Sequence, residues 1–329
     1  GFGGRGEYDH IFVDEAQDLD LGWYPLIREL ARPTPEGPSI VLFYDDAQNV
    51  YGQRRPGTAR SAEGIPSWTE LLGAVPHRRG LSTIMRIGHR NTNEILSFSF
   101  NMLLGSFAER DPQMATFTNL KEYESEHIPD DPGLGHPKAG EPCVEEIGPR
   151  QYRINFAVHT GSLPSIHKVP REQDLIHQLV TRIRSDISTG RVAAQDILVM
   201  TPLKSSVLTV FRALEKAGIR CHSPLSFKDD DPRSERIPLQ RLLRIDFRVQ
   251  PLFQEGCVTI STIKSAKGYT AHIGHVVFVE ELETGGERGW EQQARAELHV
   301  ACTRATLSLD LWATGGDLIN EAVDVRNSI

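Results

Sequence analysis

Two adjacent carboxylates, Asp14 and Glu15, directly follow a short apolar run, residues 11–13. Ile and Val favour buried strands and acids cannot continue such a run, so the sequence predicts a strand that ends at Asp14. Ligands of open α/β sheets bind at the carboxyl ends of strands. Two acids there suit phosphoryl transfer, because one can hold a hydrated magnesium ion while the other accepts a proton from the attacking water. The alternative is that both acids cap a helix that begins near Asp18.

A second apolar run, residues 40–44, ends in the same way. It is followed by Asp45 and Asp46, and Gln48 comes three residues after Asp45. Two strands that end in clusters of acids and Gln predict neighbouring strands that line one ligand site. For the second cluster alone, an acidic turn is the competing explanation.

The composition is that of a globular protein with room for two domains. The chain has 329 residues, of which 39% are hydrophobic and 24% are charged. The net charge of −8 gives no global basic field toward nucleic acid, although a local groove of Arg and Lys is compatible with it. No apolar run approaches the roughly 18 residues of a membrane span, and none resembles a signal peptide. Because the first residue is Gly, a lost N-terminal segment stays open.

The cysteines lie far apart in the sequence and form no Cys-x-x-Cys pair: Cys143, Cys221, Cys257 and Cys302. Such spacing fits neither a zinc site nor a disulfide framework, so it predicts a reducing, cytoplasmic location. We interpret each cysteine as a small buried apolar residue.

The remaining pattern alternates between strands and helices. Strands are predicted at 81–85, 196–201, 257–262, 275–279 and 307–311, and helices at 23–30, 93–104, 175–187 and 207–214. This alternation indicates βαβ units and a mostly parallel sheet. Residues 106–168 are rich in Pro, Gly and acids. They predict a small irregular insertion that leaves the sheet, apart from short strands at 151–158.

Five segments, in this order and spacing, resemble superfamily 1 helicases of the UvrD/Rep type, from the second motif to the sixth. They are residues 14–18 (DEAQD, like Walker B), 44–51 (YDDAQNVY), 89–95 (HRNTNEI), 262–268 (TIKSAKG) and 300–305 (VACTRA). The first and last are specific by themselves, and the five together are a strong signal.

The resemblance implies two RecA-like domains with mostly parallel sheets, the first incomplete at 1–80 and the second at 81–329. It also implies ATP and Mg²⁺ as cofactors. In this resemblance Asp14 holds magnesium through water, Glu15 orients or deprotonates the attacking water, and Gln48 senses the γ-phosphate. Arg90 and Arg304 act from the second domain on the charge of the transferred phosphoryl group, and Gly268 completes the ATP-binding set.

The implied activity is that of an ATP-dependent 3′–5′ DNA helicase or single-strand translocase, as in DNA repair. The residues implied to contact the strand are Tyr51, Arg54, Thr262 and Lys264, although Tyr51 is equally well a core aromatic. Several positions depart from the family pattern. Tyr44 replaces a glycine, Gln53 replaces a stacking aromatic, and Tyr269 and Thr270 replace the hydrophobic residue and ribose-binding Glu of relatives.

The phosphate loop of such motors has no counterpart in the sequence. Gly1 to Gly6 is glycine-rich, but no Lys of the chain is preceded by Gly, as a Walker A loop requires. The resemblance places that loop N-terminal to Gly1, and we expect the 329-residue chain not to hydrolyse ATP alone. Two alternatives are a non-catalytic nucleic-acid-binding module that has lost its P-loop and the motor part of a helicase–nuclease fusion.

Overall fold

The computed structural model describes residues 6–35, 37–45, 48, 68–72, 85–105, 126–130, 135–225, 253–284 and 290–329. The chain forms two compact units, residues 1–86 with 117–126, and residues 87–116 with 127–329. The predicted division at residue 80 and most of the strand predicted at 81–85 lie outside the described residues. Among the described residues, no helix has the length and apolar character needed to cross a bilayer.

The first unit is built around a parallel pair of short strands. Its elements are β1 (Ile11–Val13), α1 (Trp23–Leu30), β2 (Ile40–Leu42) and α2 (Trp68–Leu72). The register runs from Ile11 beside Ile40 to Val13 beside Leu42. Ile40 and Leu42 face Tyr24 and the apolar side chains of α2. Since side chains alternate along a strand, Phe12 and Val41 lie on the opposite face, where both are exposed.

The second unit contains a six-stranded sheet in the order β7-β12-β11-β8-β10-β9, with every neighbouring pair parallel. The elements of this unit are β3 (Gly88–Thr92), α3 (Asn93–Leu104), β4 (Val144–Gly148), β5 (Gln151–Ile154), β6 (Ala157–His159), β7 (Ser165–Lys168), α4 (Glu172–Ser188), β8 (Ile197–Thr201), α5 (Lys204–Lys216), β9 (Cys221–His222), β10 (Val258–Thr262), β11 (Ala271–Val277), α6 (Trp290–Cys302), β12 (Ala305–Ala313) and α7 (Asp317–Ser328). The α/β class with a mostly parallel, RecA-like sheet is confirmed.

The core of this sheet explains why its strands could be read from the sequence. All five residues of β8 are buried, as expected of a parallel strand with both faces covered. Val199, Ile260 and Val277 join the buried residues of α4 and α5 in one cluster. Helix α3 begins with a side-chain cap, because the Thr92 hydroxyl accepts the Ile95 N–H.

The short strands expected at 151–158 are present as β5 and β6, but the expectation that residues 106–168 leave the sheet needs a correction for its last part. There β4 and β5 form an antiparallel hairpin, β6 pairs with β3, and β7 is the edge strand of the main sheet beside β12. The pattern of β7 is only four residues long and includes polar side chains, so its signal is weak. Its place is fixed by a long-range contact, the stacking of His167 on Trp312 with ring centroids 3.8 Å apart.

The C-terminal helix α7 was not predicted, although its buried residues have helical spacing: Leu318, Ile319, Ala322 and Val325. A buried ion cluster ties this helix to two others. The Arg295 guanidinium of α6 donates to Glu291, also in α6, at 3.1 Å and to Glu321 of α7 at 2.6 Å. It also donates to the carbonyl of Met102 in α3 at 2.7 Å. Each partner satisfies a charge or carbonyl that would be costly to bury alone.

Asp310 is fully buried in β12 among ionisable groups. His167 contacts its carboxylate at 3.0 Å, while His275 and Arg182 lie 3.6 Å away. Burial raises the pKa of Asp310, but the His167 hydrogen bond and the nearby positive charges outweigh it, so the net pKa is lowered. Burial lowers the pKa of His275 to about 4, which Asp310 offsets only in part. The Trp312 indole donates to His275 Nδ1 at 3.3 Å, as suits a neutral imidazole.

We expect His275 to lower the stability of the second unit as the pH falls from 7 to 5. The folded-state pKa of His275 is about 4 and its ordinary value is 6.5, so the unfolded chain binds more protons in that window. For this one histidine the free energy of unfolding falls by about 2 kcal/mol, and the lowered pKa of Asp310 acts in the same direction at lower pH. Urea unfolding at the two pH values measures the change.

The variant His275→Gln should flatten this pH dependence, because glutamine can still accept the indole N–H and does not titrate. His159→Gln is the matched control, since His159 is exposed in the same unit. An equal pH dependence in the wild type and His275→Gln would contradict the assignment.

Candidate functional site

The ends of β1 and β2 are joined by backbone hydrogen bonds. The Phe43 N–H donates to the Val13 carbonyl at 2.8 Å, and the Ala16 N–H donates to the Phe43 carbonyl at 2.9 Å. Because the strands are parallel, both carboxyl ends lie at the same edge. The structure therefore brings the two predicted clusters, Asp14 with Glu15 and Asp45 with Gln48, to one place in the first unit.

Glu15 has a left-handed backbone, with φ 50° and ψ 41°. This conformation costs a non-glycine residue about 1–2 kcal/mol, and such outliers often occur at functional sites. Its N–H donates to Asp14 Oδ1 at 2.9 Å, and its carbonyl accepts the Asp18 N–H at 2.9 Å. Neither acid side chain caps a helix as the alternative had it, since the 3₁₀ turn Ala16–Asp18 has no side-chain cap at Glu15.

Gln17 connects the two clusters through its side-chain amide. It is 3% exposed. Its Nε2 donates to Glu15 Oε2 at 2.5 Å, and its Oε1 accepts the Asp45 N–H at 3.1 Å. Gln17 follows the two acids in the sequence but was not predicted as a site residue. Its position two residues after Glu15 was the available signal, although the contact with Asp45 depends on strand register.

Gln48 lies against Asp45, to which it is hydrogen-bonded twice. Its Nε2 donates to Asp45 Oδ2 at 2.7 Å, and its N–H donates to the Asp45 carbonyl at 3.1 Å. The Tyr24 hydroxyl supports the same region by donating to the Ala16 carbonyl at 2.8 Å. Burial raises the pKa of Tyr24 to about 12, so this donor stays protonated.

The donor set at the end of β1 fits a hydrated magnesium ion. Asp14 is exposed, and one of its oxygens accepts the Glu15 N–H. Mg²⁺ commonly keeps several waters and binds through one or two carboxylates together with substrate phosphates. Among the described residues there is no cluster of three or more His, Cys, Asp or Glu that could form an all-protein metal cage. A single carboxylate is nevertheless sufficient for this mode of binding.

In the second unit, Thr262, Lys264 and Gly268 lie in one turn after β10. The Thr262 hydroxyl accepts the Ser265 N–H at 3.2 Å, and the Thr262 carbonyl accepts the Ala266 N–H at 3.0 Å. Gly268 has φ +85°, a left-handed conformation that favours glycine. Lys264 is paired with Glu297 of α6 at 3.0 Å. A nucleic-acid phosphate would therefore compete with Glu297 for this lysine.

The two candidate arginines have different surroundings. Arg90 is exposed in β3. Arg304 is 0% exposed. Its guanidinium donates to the Val300 carbonyl at 3.0 Å, to the Tyr269 carbonyl at 3.4 Å and to the Thr303 hydroxyl at 3.1 Å. Tyr51 and Arg54, which the resemblance assigned to the strand, lie outside the described residues.

These features define a RecA-like α/β protein with acids at the ends of neighbouring parallel strands. Residues 4–58 match the family model described as UvrD/REP helicase N-terminal domain. This segment includes Asp14, Glu15, Gln17, Asp45 and Gln48, and the match confirms the resemblance found in the sequence. The match supports a DNA helicase-like function.

Two solved structures are similar to this chain at low identity. One is the C-terminal domain of a possible DNA helicase from Lactobacillus plantarum WCFS1, with TM-score 0.39, 15% identity, and coverage of 72% of this chain and 94% of that chain. The other is arterivirus nonstructural protein 10, a helicase, in complex with DNA, with TM-score 0.28, 13% identity, and coverage of 46% of this chain and 28% of that chain. No curated protein sequence matches the chain.

Proposed function

We propose that this chain is part of an ATP-dependent motor that moves 3′ to 5′ along single-stranded DNA and can act as a helicase. The observation that carries the proposal is the pair of hydrogen bonds made by the Gln17 side-chain amide. They link the candidate base Glu15 to the cluster of Asp45 and Gln48 at one sheet edge. All of these residues lie within the segment that matches the UvrD/REP helicase N-terminal domain.

In the first unit, each candidate residue has a separate role in phosphoryl transfer. Asp14 would hold magnesium through water, and the bound ion would neutralise charge on the phosphate oxygens. Glu15 would orient the attacking water or accept its proton, and the hydrogen bond from Gln17 keeps its carboxylate directed. Gln48 would sense the γ-phosphate. Because Gln48 is hydrogen-bonded to Asp45 and Asp45 to Gln17, a movement of Gln48 on nucleotide binding would also affect the position of Gln17.

In the second unit, Arg90 and Arg304 would stabilise the charge that develops on the transferred phosphoryl group, with Gly268 in the same nucleotide-binding set. Arg90 is exposed, so an anion can reach its guanidinium. The buried Arg304 guanidinium would first have to exchange its contacts with Tyr269 and Thr303 for the phosphate.

Contacts with the DNA strand would come from Thr262 and Lys264, together with Tyr51 and Arg54. Backbone phosphates are the expected targets of the threonine and lysine, since both sit at an exposed turn and carry donors. Release of Lys264 from Glu297 would accompany strand binding. The proposed setting is cytoplasmic, with DNA repair as the process.

The proposal is tested by ATP turnover of the protein expressed from its complete reading frame. We expect turnover that needs Mg²⁺ and rises at least about tenfold with single-stranded DNA, because the strand is the proposed track of the motor. The 329-residue chain, in which no Lys follows Gly, is the comparison and should be inactive. Turnover by that chain, or turnover of the full protein that ignores DNA, would contradict the proposal.

A further inference from the structure

Asn91 is buried in β3, beside Arg90, and has a contact that the nucleotide chemistry described above does not use. The residue is 5% exposed. Its side-chain Nδ2 donates to the Thr303 carbonyl at 3.0 Å and to the Ala305 carbonyl at 2.6 Å. Those two carbonyls stand on either side of Arg304 in the sequence. One amide group from a residue more than 200 positions away therefore brackets the arginine.

The bracketed backbone is the junction between α6 and β12. Carbonyls at a helix end lack intrahelical partners and need others when buried. The Arg304 carbonyl accepts the Ala271 N–H at 2.9 Å, and its N–H donates to the Ala301 carbonyl at 3.1 Å. Since Asn91 donates to the carbonyls of the residues before and after Arg304, all three consecutive carbonyls of this junction are hydrogen-bonded. The backbone that presents Arg304 is thus fixed from β3.

The same residue also relates Arg304 to Arg90. Arg90 directly precedes Asn91 in β3, and its side chain is exposed while that of Asn91 is buried. A shift of β3 against the junction would change the spacing of the two arginines. Misplacement of a catalytic group by about 1 Å can reduce a rate about 100-fold.

We propose that Asn91 is a positioning residue that keeps Arg304 and Arg90 in register for the transferred phosphoryl group. This inference rests on the proposed ATP-dependent motor and adds to it a residue that acts through the arginines without touching the nucleotide.

Asn93 provides a matched control two positions along the chain. It is also 5% exposed, and it also uses its side-chain amide on backbone. Its Nδ2 donates to the Ala157 carbonyl at 3.1 Å, and its Oδ1 accepts the Ala157 N–H at 2.9 Å. Loss of this amide should cost comparable stability, while the junction that holds Arg304 keeps its hydrogen bonds.

The experiment compares Asn91→Ala, Asn93→Ala, Arg304→Ala and the double variant Asn91→Ala with Arg304→Ala in the full-length protein. DNA-stimulated ATP turnover and urea unfolding are measured for each. We expect Asn91→Ala to lower kcat about 10- to 100-fold with the KM for ATP changed less than about twofold. Asn93→Ala should keep kcat within about twofold at a similar urea midpoint. The double variant should lose less than the product of the single losses, because both changes act on one arginine.

Equal kcat losses for Asn91→Ala and Asn93→Ala would overturn the positioning role, as would an unchanged kcat in Asn91→Ala beside a strong loss in Arg304→Ala. If the alanine variant does not fold, Asn91→Ser keeps one donor, which can satisfy at most one of the two carbonyls, and kcat should fall in the same direction by a smaller factor. A wild-type protein without turnover, or an Arg304→Ala variant with normal turnover, would instead overturn the proposed motor function, and the inference with it.

Discussion

Replacing Glu15 with Gln in the full-length protein is expected to lower DNA-stimulated ATP turnover at least about 100-fold while ATP binding stays within about twofold. The loss follows because the amide cannot accept a proton, and general acid–base catalysis contributes about 10²–10⁴-fold in rate. The fold should be retained, since the side-chain carbonyl of the new glutamine can still accept the hydrogen bond from Gln17. Steady-state turnover and nucleotide titration measure the two effects.

Glu7→Gln is the matched control for Glu15→Gln, because Glu7 is an exposed acid of the same unit. It should leave both quantities unchanged. Normal turnover in Glu15→Gln would show that this carboxylate has no part in hydrolysis. The non-catalytic nucleic-acid-binding module would then be the better description of the chain.

Replacing Arg90 with Ala is expected to lower kcat about 1,000-fold without a measurable change in stability. Arginines that meet the transferred phosphoryl group contribute about 10³–10⁵-fold in related enzymes. Arg90 is exposed, and surface substitutions usually change the free energy of unfolding by less than about 0.5 kcal/mol. The kcat for ATP and the urea midpoint, measured on the same preparation, separate a catalytic from a structural effect.

Arg153→Ala is the control for Arg90→Ala. Arg153 is an exposed arginine of the same unit, paired with Glu145 at 3.4 Å, and such surface pairs contribute little. Its turnover should match the wild type. A similar loss in both variants, or a loss in Arg90→Ala that comes only from weaker ATP binding, would remove Arg90 from the catalytic set.

The sheet of the second unit was predictable because its central strands are continuous apolar runs. β8 and β10 needed no long-range information, and neither did the Thr92 cap of α3. β7 was missed as part of the sheet because its pairing with β12 is set by contacts across more than 140 residues. Helix α7 was not predicted, although its buried apolar residues have helical spacing.

The residue types of the candidate site were predictable, but their hydrogen-bond partners were not. Acids after an apolar run indicate the end of a strand, so Asp14, Glu15 and Asp45 could be placed at one edge before the structure was known. Nothing local indicates that Lys264 pairs with Glu297, since the two lie on different elements. The burial of Arg304 likewise depends on the carbonyls of Val300 and Tyr269, which the chain brings together only on folding.

The side-chain amide of Gln17 has a consequence for exchanging segments between this chain and related proteins. A graft that moved residues 14–18 into another sheet without residues 45–48 would leave the Gln17 oxygen without the N–H it accepts here. Glu15 would still accept the hydrogen bond from Gln17, but Gln17 would lose the hydrogen bond with Asp45 that fixes its side chain. Chimeras should therefore be joined outside residues 13–48, so that both strand ends come from the same parent.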